Sequence, residues 1–218
     1  MTRSGHRAPA MDRPGEPEET APPASDPLLP LAQQASGGDR EALARLLSLI
    51  APAIVTTVRM VLGAHQADLE DAAQEAMLAI ADSARRFRGE SSFLHYARRI
   101  AARTAFALRR ARLESARKLA EAAALPDDAP PAANRTPSAE VEREQRLEAF
   151  RRLLDQLPEG QAESLTYRVL LDCPLPVIAR ETGVPVNTVR SRIRLARDHL
   201  REAILADPAL AELLREPT

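Results

Sequence analysis

From Gly38 to Ile204 apolar residues recur with a helical period, and the stretches that lose that period divide the chain. Residues 1–35 are rich in Pro, Glu, Ala and Ser without such a period, and are expected to be disordered. Asp39 suits the N-cap of a first helix whose stripe is Leu43, Leu46, Leu47, Ile50, Ile54, Val58 and Val61. Pro52 is expected to kink or break this helix, and Gly63 to end it. A second helix, about 68–84, buries Leu69, Ala72, Ala73, Ala76, Met77 and Ile80 and turns Glu70, Asp71, Gln74 and Glu75 outward. After a polar turn at 87–92, Ser91 or Ser92 can cap a third helix to about Arg117. One side of it carries Phe93, Tyr96, Ala97, Ile100, Thr104 and Leu108.

Residues 119–139, which include LPDDAPPAANRTPS, have neither periodicity nor bulk and form a proline-stiffened but flexible linker. The helical pattern resumes at Val141 with Leu147, Phe150, Leu153, Leu154 and Leu157, and Pro158 opens a further helix through Leu165, Val169 and Leu170. Next come two short helices around a tight turn. Pro176 fits a first helical turn, Gly183 a left-handed stop, and Val184-Pro185-Val186 an interruption. Asn187 is the expected cap of the second of these helices. Its inner stripe is Val189, Ile193, Ala196 and Leu200, and its other sides carry Asn187, Thr188, Arg190, Ser191, Arg192, Arg194, Arg197 and Arg201.

The fold class that follows is all-α, two small helical domains (36–118 and 140–205) with a short tail at 206–218. Composition agrees, since only 3% of residues are aromatic and tryptophan is absent. No stretch reads as a membrane span and the first residues lack an apolar signal core, so a cytoplasmic protein without membrane insertion is expected. The single cysteine, Cys173, sits among leucines and reads as a reduced core thiol. The net charge of -1 conceals segregation. Residues 66–84 hold five acidic side chains and no basic one, whereas 85–118 are dominated by arginine.

That segregation bears on chemistry. A short helix, a glycine turn and a second helix with arginines outward is the helix-turn-helix pattern, whose second helix enters the DNA major groove. An ordinary helical hairpin with a solvated basic face would show the same periodicity. Arginines interleaved with Phe87, Phe93, Tyr96 and Phe106 suit single-stranded nucleic acid, with rings stacking on bases. Phe93 and Phe106 fit equally well as core, and Tyr96 as either. The four histidines and the carboxylates show no catalytic, metal-ligating or cofactor-binding grouping, so neither an enzyme nor a cofactor is expected.

Taken together, three motifs resemble bacterial RNA polymerase sigma factors of the small extracytoplasmic-function (ECF) type. They are Asp68-Leu-Glu-Asp-Ala-Ala-Gln-Glu75, Phe87-Arg-Gly-Glu-Ser-Ser-Phe93 followed by Arg99-Ile-Ala, and Leu157-Pro-Glu159 through Thr188-Val-Arg-Ser-Arg192. Tyr96 stands where that family usually has tryptophan. The resemblance implies a subunit that binds core RNA polymerase and directs promoter-specific initiation. By it, Asp71, Gln74 and Glu75 meet the polymerase, whose large-subunit clamp coiled coil and flap are the expected contacts. Arg88, Ser92, His95, Tyr96, Arg99, Arg103, Arg109 and Arg110 would hold the melted −10 strand. Asn187, Thr188, Arg190, Ser191, Arg192, Arg194 and Arg197 would read the −35 duplex. Promoter DNA, double- and single-stranded, is therefore an expected partner, and the resemblance also allows an inhibitory anti-sigma protein. The alternative is a stand-alone helix-turn-helix regulator that binds a palindromic site unaided.

Overall fold

Helices form where the apolar stripes place them. The computed structural model describes residues 26–63, 66–122 and 139–207. Its regular elements are α1 (Leu29–Ser36), α2 (Arg40–Leu62), α3 (Gln66–Ala84), α4 (Phe93–Ala122), α5 (Ala139–Asp155), α6 (Glu159–Val169), α7 (Leu175–Thr182) and α8 (Val186–Ala206). The all-α expectation holds among the described residues.

The capping chemistry of α2 is as expected. Asp39 Oδ1 accepts the Glu41 and Ala42 N–H groups at 2.9 and 3.0 Å, and Gly63 ends the helix at φ 91°. Pro52 does not break α2, which runs unbroken through it. A proline removes one intrahelical bond, but Ile50 and Ile54 flank it fully buried, and this packing holds the backbone helical. By length and composition α2, at 23 residues, could cross a membrane, contrary to the sequence expectation. Here Leu46, Ile50, Ile54, Val58 and Val61 face α3 and α4 as a core stripe. Small residues on α3 (Ala72, Ala73, Ala76) and α4 (Ala97, Ala101, Ala105) bring the three helices close.

Order also begins earlier than the sequence suggested. Helix α1, but for Ser36, lies inside the stretch expected to be disordered, with Ala32 and Ala35 buried against α2 and α3. At the other boundary α4 continues to Ala122, past the expected linker start, and the rest of the linker (123–138) lies outside the described residues, as does the tail from 208.

The second domain closes around Leu165, Tyr167, Ile178, Val189, Ile193 and Ala196 of α6, α7 and α8. Its core is continuous with the first. Helix α5 packs on α2, α6 packs on α4, and Leu154, Leu157, Leu171 and Cys173 join the same buried cluster. The two domains are thus docked on one another.

Candidate nucleic-acid interface

Three surfaces carry the candidate residues. On α3 the side chains of Asp71, Gln74 and Glu75 are exposed, as an outward helix face requires once Ala72, Ala73, Ala76 and Ile80 turn inward. Leu78 stands one turn further on, 62% exposed and outside the buried stripe. The sequence reading gave it no role; its departure from the stripe was the available signal.

The second surface begins at the turn before α4. Arg88 is exposed and Ser92 half-buried, with the Ser92 hydroxyl accepting the His95 N–H at 3.3 Å as a helix cap. Tyr96 packs with Phe87 and Phe93, ring centroids 5.2 and 6.0 Å away, and donates its hydroxyl to the Ser83 carbonyl at 3.0 Å. Phe93 and Phe106 are fully buried, so both are core. The Arg99 guanidinium lies 5.9 Å from the centre of the Tyr96 ring, a cation–π arrangement. Ser83, Arg86, Tyr96, Arg99, Ile100, Arg103 and Glu181 line a cleft of about 170 Å³.

Glu181 comes from the other domain, and it is one of several groups from that domain on this surface. It stands 3.4 Å from Arg103 and 4.0 Å from Arg99. Asp155 pairs with Arg109 at 3.0 Å, and Glu159 with Arg110 at 2.7 Å, with Glu163 3.9 Å from the same guanidinium. The Tyr167 hydroxyl donates to the Arg99 carbonyl at 3.5 Å, and the Cys173 thiol lies 3.6 Å from His95 Nε2. Burial, then the nearby Arg99 charge, hold His95 below its ordinary pKa. Burial pushes the Cys173 thiol up to about 11, the state of an unreactive core cysteine. Arg98, Arg99 and Arg109 each keep one buried guanidinium nitrogen without an acceptor among the described residues. Of the expected single-strand contacts, His95, Arg99 and Arg109 therefore face protein in this arrangement, while Arg103 and Arg110 are paired with carboxylates but stay about half exposed. The sequence reading did not foresee this.

The third surface is α8. Gly183, at φ 67°, makes the left-handed stop of α7, and α8 begins at Val186 with Pro185 at the cap position. Asn187 is therefore not the cap. The helix starts two residues earlier than that cap would place it, and Asn187 Oδ1 instead accepts from Arg190 Nη1 at 2.7 Å. Val189, Ile193 and Ala196 are buried, whereas Asn187, Arg190, Ser191, Arg194 and Arg197 are exposed and Thr188 is half-buried. Arg192 departs from the group. Its guanidinium lies over Gly160 of α6, so close that a Cβ there would sit 2.6 Å from Arg192 Cζ. Arg194 and Arg201 share Asp198, at 3.6 and 3.7 Å.

Residues 46–114 match the family model for Sigma-70 region 2, and residues 147–200 match that for Sigma-70, region 4. Together these spans cover more than half of the 218 residues. The chain belongs to the sigma-70 family. Region 2 takes in most of α2, all of α3 and most of α4; region 4 runs from α5 through the helix-turn-helix. No curated protein matches the chain. Among solved structures, the sigma factor is similar to CnrH in complex with the cytosolic domain of CnrY. The TM-score is 0.53 at 21% identity, covering 84% of this chain and 99% of that one. It is also similar to the sigma factor RpoE in complex with the anti-sigma factor NepR from Bartonella quintana, with a TM-score of 0.52 at 19% identity. That match covers 79% of this chain and 98% of the other. At these identities the likeness establishes a shared fold.

Proposed function

We propose that this sigma factor, of ECF type, directs core RNA polymerase to promoters through three separate contacts. Asp71, Gln74 and Glu75 offer exposed acceptors to a basic surface of the polymerase, the large-subunit clamp coiled coil, with Leu78 as an apolar contact beside them. The turn at Arg88 and Ser92, with the arginines of α4 behind it, holds the melted −10 strand. Guanidinium groups meet phosphates there, and unpaired bases are captured once the duplex has opened. On α8, Arg190, Ser191 and Arg194 face the floor of the −35 major groove, and Arg197 a phosphate. The bond from Arg190 to Asn187 holds that guanidinium at the helix start, ahead of DNA binding. The reading assigns no catalytic step to the chain itself, because polymerase supplies the chemistry.

The observation that carries the reading is the arrangement of two exposed faces of opposite charge. The acidic face on α3 falls within the region 2 match, and the arginine-lined face on α8 within region 4. The face between them is partly covered by the chain's own carboxylates, so full strand capture requires α5, α6 and α7 to leave α4. By likeness to RpoE, whose structure contains an anti-sigma factor, a protein inhibitor is also proposed as a partner. Transcription by core polymerase from a randomised promoter library tests the function. Transcripts that start at one promoter class only when the chain is added support it; none above core polymerase alone refutes it.

A further inference from the structure

One bond at the start of α4 belongs to neither the apolar pattern nor the contacts assigned above. Asp26, ahead of α1, accepts the Phe93 N–H through Oδ2 at 2.7 Å, across 67 positions of sequence. Its other oxygen accepts the Leu28 N–H at 3.0 Å, and its carbonyl accepts from Leu29 at 3.0 Å. The half-buried carboxylate therefore joins the beginnings of two helices. Phe93 is the first residue of α4, and its N–H is one of the donors that a helix leaves unpaired. Ser92 serves the His95 N–H and Asp26 serves the Phe93 N–H, so the two acceptors divide the helix start between them. A negative charge at that end also interacts favourably with the positive end of the helix macrodipole.

Leu29 of α1 lies beside the same turn. Gly89 has φ 76°, and a Cβ there would lie 3.8 Å from Leu29 Cδ1. The turn from Arg88 to Ser92 thus has Leu29 beside it and Asp26 anchoring its far end. Within the turn the Ser91 hydroxyl donates to the neighbouring Ser92 carbonyl, at 3.3 Å. A turn whose Arg88 and Glu90 are exposed takes its attitude from what is fastened to its ends.

We infer that Asp26 is a positioning residue for promoter melting, fixing the angle at which Arg88 and Ser92 meet the opened strand. The inference rests on the proposed role of that turn in strand capture. It gives α1 a task as well, since the buried Ala32 and Ala35 fasten the lever whose end is Asp26.

Asp26→Ala and Asp26→Asn distinguish positioning from plain stability. Asparagine keeps an acceptor oxygen and loses the charge. With core polymerase and a promoter that the wild-type chain opens, permanganate reactivity of unpaired thymines measures opening. It is read on the duplex and on the same promoter carrying a preformed bubble, beside polymerase affinity and the melting temperature. Asp26→Ala is expected to lower duplex opening about tenfold, the scale of a lost charged helix cap. Bubble-template activity and polymerase affinity should stay unchanged, and Asp26→Asn should fall between. Normal duplex opening by Asp26→Ala overturns the inference. So do equal losses on duplex and bubble, or lost polymerase affinity with a lowered melting temperature, either of which marks a structural role. A wild-type chain that opens no promoter overturns the proposed function and, with it, this inference.

Discussion

Replacing Asp155 by Asn and Glu159 and Glu181 by Gln should release the arginine face of α4 while both domains stay folded. Glu181, 13% exposed, serves Arg103 at 3.4 Å and Arg99 at 4.0 Å, while Asp155 and Glu159 hold Arg109 and Arg110 at 3.0 and 2.7 Å. Surface ion pairs contribute about 0.2–1 kcal/mol each. Arg103 and Arg110, at 54% and 50% exposed, belong in that range, and Arg109, at 11%, near its top. Three such contacts sum to about 1–3 kcal/mol, or roughly a five- to hundredfold shift towards separated domains. The amides still accept hydrogen bonds, and buried Tyr167, Leu171 and Cys173 still resist separation, which favours the lower half of that span. Anisotropy of a labelled single-stranded −10 oligonucleotide should show the free variant binding several-fold tighter than wild type, with a longer distance between labels on α3 and α8. Asp198→Asn, which removes one carboxylate charge against the triple variant's three and is paired with Arg194 and Arg201 of its own helix, should change neither reading. Unchanged affinity and distance in the triple variant would refute the reasoning, as would an Asp198→Asn response of the same size.

Three further outcomes are expected. Asp71→Ala combined with Glu75→Ala should leave the melting temperature alone, because both side chains are exposed, yet weaken capture by core polymerase; undiminished capture removes those residues from the contact. Arg190→Ala should cost about 1–3 kcal/mol at a cognate −35 duplex and relax discrimination at one base pair, whereas Arg197→Ala should lower affinity evenly and reduce the salt slope by about one. Binding measured against a panel of mutated duplexes separates the two. Glu163 is buried, and that burial raises its carboxyl pKa in the fold. The folded chain therefore holds this proton to higher pH than the unfolded one, and stability falls as pH rises from the ordinary carboxyl value through the raised one. Glu163→Gln should accordingly raise the melting temperature at neutral pH, with the gain vanishing under acidic conditions; a gain independent of pH would sink that explanation.

Local chemistry was legible in the sequence, and distant pairing was not. Asp39, Gly63 and Gly183 announced helix ends because caps and left-handed stops depend on a few adjacent residues. The stripe Val189, Ile193 and Ala196 set the register of α8, and so which of its arginines face out. Pro52 misled because its cost is local, whereas the packing that overrides it comes from α3 and α4. Helix α1 was hidden for a related reason. Eight residues offering two buried alanines carry almost no periodic signal, and the bond to Phe93 spans 67 positions. Charge segregation was visible, but the carboxylates that cover the α4 arginines sit beyond the linker, where no local pattern could point to them. Tyr96 was open between stacking platform and core; its hydroxyl on the Ser83 carbonyl ties it to α3, while its ring still lines the cleft.

Gly160 has ordinary helical geometry, yet nothing larger fits there while Arg192 keeps its place. A methyl group at that position would lift the guanidinium off α6 and send it outwards, adding one more positive charge near the DNA-reading side of α8. Positions 160 and 192 are therefore expected to change together among relatives, a side chain at the first appearing with a shorter or uncharged residue at the second. In this chain a missing side chain on one helix keeps one guanidinium of its neighbour folded back.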